Sequence, residues 1–177
     1  SRASLFTGIY PHHSGCFGFQ RWDRYPVLKN SRTLMDHFRA NGYHTLGTGK
    51  LLHHLVRQEW SEYGNPADYG PFAFDGTQRI AHPDVPAPYR DIGAVDGSFG
   101  PLVTLAGRTS ATGHPLQWQT GGWRRVRVLP VASQEDRDPT ADERNGDWAV
   151  KKLRQFAAQP GDKPFFMGVG LIRPHTP

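Results

Sequence analysis

Pro164-Phe165-Phe166-Met167-Gly168-Val169-Gly170-Leu171 is a continuous apolar run of strand length, and it leads almost directly into Arg173-Pro174-His175. Such runs suit strands buried on both faces, as in α/β sheets. A helix precedes it. Thr140-Ala141-Asp142-Glu143 reads as a capping box with Glu143 at N3. From there to about Ala158 the helical period turns Ala149, Val150, Leu153, Phe156 and Ala157 toward a core, with Gly146 a mild misfit and Pro160-Gly161 a stop. The same design occurs earlier in the chain. Ser31 reads as the cap of a helix through Ala40, with Leu34, Met35 and Phe38 on one face and Gly42 at the left-handed position past its end. Tyr43-His44-Thr45-Leu46-Gly47-Thr48 then forms a short strand that enters Gly49-Lys50-Leu51-Leu52-His53-His54. Both units place polar residues at the carboxyl end of a strand, where open α/β sheets bind ligands. Lys50, His53, Arg173 and His175, with Arg2 at the start of a short helix ending at Gly8, are the groups an oxyanion site would gather, helped by a helix N-terminus. The alternative, that they are ordinary loop residues, stays open on spacing alone.

Working outward, the 177 residues carry 21 Lys and Arg against 16 Asp and Glu, a formal charge of +5. That balance favours an anionic partner through steering. The basic residues are scattered, and the densest run, Trp123-Arg124-Arg125-Val126-Arg127, is too short for a nucleic-acid-binding stripe and reads as a solvated turn or strand. With 37% apolar and 12% aromatic residues the chain is not a disordered polymer. No run approaches the roughly 20 apolar residues of a membrane span. The single Cys16, in a turn-rich segment, excludes an internal disulfide framework and reads as a small buried thiol. Residues 9–30 read as an ordered loop. Residues 60–140, rich in Gly and Pro, read as a long loop-rich segment, with Val103–Val131 its least legible part. The chain opens on Ser1-Arg2, neither an initiator Met nor a signal peptide, and closes inside a loop, so a piece cut at both ends is expected.

Three segments carry a resemblance. Ser1-Arg2-Ala3-Ser4-Leu5-Phe6-Thr7-Gly8 resembles the tail of the sulfatase motif Cys-x-Pro-Ser-Arg-x-x-x-x-Thr-Gly. Gly42-Tyr43 with Gly49-Lys50-Leu51-Leu52-His53 resembles the second sulfatase motif, with the Lys-to-His spacing of iduronate-2-sulfatase-like members. Pro164-Phe165-Phe166 through Arg173-Pro174-His175-Thr176-Pro177 resembles the third landmark, a strand ending in Lys/Arg-Pro-His-x-Pro. The three fall in the family's order across the chain. The resemblance implies an α/β fragment of an alkaline-phosphatase-like sandwich, with a mostly parallel central sheet flanked by helices. Residues 1–177 would be part of a sulfatase catalytic domain, and 60–140 its substrate-recognition segment.

It also implies a chemistry. A formylglycine, made from a motif Cys or Ser upstream of Ser1, is the nucleophile that attacks the sulfur of a sulfate ester. A divalent cation, usually Ca2+, acts as Lewis acid on ligands outside these residues. Arg2 would hold the formylglycine and neighbouring acids, and Lys50 would bind a sulfate oxygen and the formylglycine hydrate. His53, preferred over His54 on spacing, would hydrogen-bond the hydrate and take its proton, and His175 would contact sulfate or the leaving oxygen. The partner implied is a sulfated carbohydrate or other sulfate ester, with no nucleic acid, and members are commonly exported or lysosomal. Without nucleophile and metal ligands, the 177 residues alone are expected to be inactive. A zinc site at His12-His13 or His53-His54 lacks supporting spacing. Two alternatives remain: a phosphoesterase or phosphonate hydrolase of the same superfamily, and a non-catalytic anion-binding module.

Overall fold

The computed structural model describes residues 2–55, 59–97, 100–121, 126–159, 161 and 163–173. His175 and residues 123–125 of the basic run lie outside them. The helices are α1 (Arg2–Thr7), α2 (Pro11–Ser14), α3 (Pro26–Lys29), α4 (Leu34–Ala40), α5 (Gly93–Asp96) and α6 (Ala141–Ala158). The strands are β1 (His44–Gly49), β2 (Glu62–Pro66), β3 (Phe72–Phe74), β4 (Arg79–Ile80), β5 (Gln117–Thr120), β6 (Arg127–Leu129) and β7 (Phe165–Gly170). The chain forms two compact units, residues 1–66 with 145–171, and residues 67–144 with 172–177.

The first unit is an α/β layer structure. Its sheet is wholly parallel in the order β2-β1-β7, with His44 to Gly49 paired in register with Phe165 to Gly170. One face rests on a core built from α1 and α4 (Ala3, Phe6, Met35), the intervening segment (Cys16, Trp22, Leu28) and Leu51, Leu52 and Trp60. The other face meets α6, where Phe156 stacks on Phe165 at 4.8 Å and Asn145 accepts a hydrogen bond from Thr48 Oγ1 at 2.8 Å. The buried thiol is Cys16.

Four local expectations change. The cap of α4 is Thr33, not Ser31: Thr33 Oγ1 accepts the Asp36 N–H at 3.1 Å, a geometry set by the three-residue spacing from Thr33 to Asp36. Residues 9–30 are not simply loop, since α2, a 3₁₀ turn at Trp22–Arg24 and α3 punctuate them; prolines at the first turns of α2 and α3 supply the helical φ. The core-facing set expected on α6 is only partly buried. Ala149 is inside, but Val150 and Leu153 are 45% and 46% exposed and Ala157 is exposed too. Likewise β7 is not covered on both faces: Phe165 and Val169, which alternate onto the α6 side, remain 38% and 41% exposed. The capping box at Thr140 forms, with Glu143 Oε2 accepting the Thr140 N–H at 2.8 Å and Thr140 Oγ1 accepting the Glu143 N–H at 3.3 Å.

The segment 60–140 is more ordered than its composition suggests. It supplies β2 to the parallel sheet and, in the second unit, an antiparallel sheet in the order β4-β3-β5-β6. Ala73, Leu105, Leu116, Trp118 and Leu129 form that unit's core. The buried Asp68 carboxylate ties it together. It accepts the Gly70 N–H at 2.9 Å and both the Thr120 hydroxyl and the Gly121 N–H at 2.7 Å. His82 is buried and stacks on Trp118. Its Nδ1 accepts the Asp84 N–H at 3.1 Å, so the imidazole is neutral with Nε2 protonated and donating to Thr104 Oγ1 at 2.8 Å.

Candidate active site

The carboxyl end of β1 is fixed by close backbone approach to β7. Gly49 adopts φ +75°, and a Cβ there would stand 2.0 Å from the Gly170 carbonyl oxygen, so only glycine fits. The Lys50 N–H donates to that same carbonyl at 2.7 Å. The Gly49 carbonyl accepts from the Tyr63 hydroxyl at 2.7 Å, and the Lys50 carbonyl accepts from Arg2 Nη1 at the start of α1. The backbone of Lys50 is thus held from β2, β7 and α1.

Lys50 is 4% exposed, and its Nζ lies 3.1 Å from His53 Nδ1. An ammonium has only donors, so Nδ1 accepts and the proton of a neutral His53 sits on Nε2. His53 itself is exposed, with Phe19 edge-on to its ring at 4.7 Å. His54 turns elsewhere: its Nε2 donates to the Phe19 carbonyl at 2.8 Å, while its own carbonyl accepts the Trp22 indole N–H at 3.3 Å. Arg2, Lys50 and His53 therefore stand together, and His53 rather than His54 meets the lysine.

Arg173 has a different setting. Its guanidinium is enclosed, with Nη1 donating to Val95 O at 2.6 Å and Nη2 to Tyr69 O at 2.9 Å and Pro71 O at 3.3 Å. Burial pushes its pKa below the ordinary arginine value, against the opposing pull of Asp142 and Asp96. The Asp142 carboxylate accepts the Ile172 and Arg173 N–H groups at 2.8 to 3.0 Å, clamping the turn that leads to His175. Arg173 braces three backbone carbonyls of its own unit, a structural task its position after a strand does not announce. Tyr63, Asn145 and Asp142 were not singled out for the site from sequence. Tyr63 and Asn145 carry no local motif, and Asp142 reads only as part of a helix cap.

Among the described residues no group of three or more His, Cys, Asp or Glu is placed to hold a metal ion, and no helix is long and apolar enough to cross a membrane.

A buried lysine beside a histidine thus stands at the carboxyl end of a parallel sheet, the place where open α/β sheets bind ligands. The chain belongs to the sulfatase family: the Sulfatase family model matches residues 1–177. A protein named "Sulfatase" from Formosa agariphila is 26% identical over 182 residues, covering 100% of this chain and 29% of its own length. The chain therefore spans less than a third of that relative. No solved structure matches.

Proposed function

We propose that the whole protein hydrolyses sulfate esters, those of sulfated sugars foremost, and that this chain supplies the oxyanion-holding part of the site. The observation that carries the reading is the Lys50 Nζ to His53 Nδ1 contact at the end of β1, in a chain matched by the sulfatase family from end to end. Lys50 neutralises a sulfate oxygen, and its low exposure strengthens that charge by excluding water. With Nδ1 engaged by Lys50, His53 presents Nε2–H and acts as a donor to an oxygen of the reacting group. To take a proton at Nδ1 it would have to release the lysine. Arg2 positions the start of α1 against the Lys50 carbonyl, and His175 contacts sulfate or the leaving oxygen. The three-residue step from Lys50 to His53 supports the iduronate-2-sulfatase-like subtype.

A formylglycine three residues before Ser1 would supply the nucleophile. A divalent cation, Ca2+ in this reading, would supply Lewis-acid charge on a sulfate oxygen. None of the described residues forms a ligand set for it, so no step is assigned through it.

The full-length protein assayed on an aryl sulfate and the matching aryl phosphate tests the proposal. Faster turnover of the sulfate, abolished by Lys50→Ala, supports it. Preference for the phosphate points to a phosphoesterase. No hydrolysis of either ester, with calcium present and formylglycine verified by mass spectrometry, points to an anion-binding module.

A further inference from the structure

The loop after α2 carries two phenylalanines that the first unit's core does not absorb. Phe17 is 74% exposed and Phe19 76%. An exposed Phe leaves a large apolar surface in water, yet Phe19 is not on a free strand of chain. Its carbonyl is held by the His54 ring at 2.8 Å. The carbonyl of His54 is held by the indole of Trp22, which is buried in the core. The Phe19 ring meets the His53 ring edge-to-face, 4.7 Å between centroids at 69°. The protein thus fixes an uncovered aromatic face beside the imidazole that flanks the buried lysine. Ligand sites commonly pair such an apolar wall with a few placed polar groups.

Resting on the sulfate-ester reading, we propose that Phe19 is a specificity-determining residue: its ring is the platform for the apolar face of the substrate's ring while Lys50 holds the sulfate. A pyranose offers such a face through its C–H bonds and an aryl group through its π-face, and the chemistry of recognition is shared. An acyclic sulfate ester has no face to offer.

The test is steady-state kinetics of the full-length protein and its Phe19→Ala and Phe19→Trp variants on a sulfated monosaccharide, an aryl sulfate and an acyclic alkyl sulfate. An aromatic contact of this kind corresponds to about a tenfold change in affinity. Phe19→Ala is expected to raise KM about tenfold for ring substrates with kcat within about twofold, to leave the acyclic ester unchanged, and to be rescued by Phe19→Trp. An effect confined to the sugar or to the aryl ester identifies which ring the platform serves. Equal loss on all three substrates, or no loss on any, overturns the proposal. If wild-type protein turns over no sulfate ester, the functional reading fails. Calorimetric binding of the sulfated monosaccharide then decides for Phe19: about tenfold weaker binding by Phe19→Ala supports the platform, and equal or absent binding overturns it.

Discussion

Lys50 and Arg173 follow the paired ends of β1 and β7, where Gly49 and Gly170 lie side by side, yet they have opposite fates. Lys50 presents a single compact ammonium to the neighbouring imidazole. Arg173 presents a planar fork whose two Nη groups donate to the carbonyls of Val95, Tyr69 and Pro71. The difference shows that a cation at a strand's carboxyl end is not thereby an anion ligand. What surrounds it decides, and guanidinium geometry suits a cluster of backbone acceptors as an ammonium does not. The comparison can be broken at four points.

The largest effect is expected from Lys50→Ala in the full-length protein. Loss of a preorganised cation predicts about a 10³-fold fall in kcat/KM on a sulfate ester with little change in the urea midpoint. Retention of more than a tenth of the activity would remove Lys50 from the chemistry. Arg173→Ala is expected to do the reverse first. Stripping donors from three carbonyls predicts about 4 kcal/mol of destabilisation, read as a lowered denaturation midpoint. An unchanged midpoint with lost activity would return Arg173 to the anion site.

A third test separates the units by pH. In the first unit Glu59 is 8% exposed, with Oε2 lacking a partner among the described residues, and burial together with repulsion from Asp36 pushes its carboxyl up to about 7. A raised acid pKa means that the folded state keeps a proton the unfolded state releases. Stability is full below the ordinary carboxylate range and falls as pH rises toward and through 7, by at most about 3 kcal/mol. Glu59→Gln should flatten that slope. In the second unit burial pushes the His82 pKa down, with Arg108 acting the same way and Asp84 opposing. That unit is expected to lose stability as pH falls below the ordinary histidine value of about 6.5, a loss that His82→Gln should reduce. Denaturation followed from pH 4.5 to 8 reads both slopes, and slopes of the same sign in both units would refute the contrast. The smallest effect is expected from Asp142→Asn, which keeps one acceptor for two N–H groups. About 1 kcal/mol of local stability should be lost, seen as faster amide exchange at Ile172 and Arg173 with Lys50 unaffected.

What the chain declares locally is the parallel half of the structure. The helical period before β1 and before β7, the glycine after α4 and the capping box at Thr140 all act through near neighbours in sequence, and each marked an element. The antiparallel half was opaque for a physical reason: β3 to β6 run two to four residues each and hold together through Asp68 and His82, whose partners are brought in by the fold. The exposed apolar residues of α6 misled for a similar reason, since periodicity reports a face and not what covers it. At the site, Lys50 and His53 stood out by spacing. Tyr63, Asn145 and Phe19 did not, because their contacts exist only once β2, α6 and the 15–25 segment have docked.

The glycine contact between β1 and β7 also has a kinetic meaning. The Lys50 N–H donates to a strand far downstream, so the cation is not in place until that long-range pairing has closed. Loop closure of this kind is slow compared with local helix formation. On the proposed reading of Lys50, sulfate binding should therefore appear with the last cooperative step of refolding and signal that β1 and β7 have found their register.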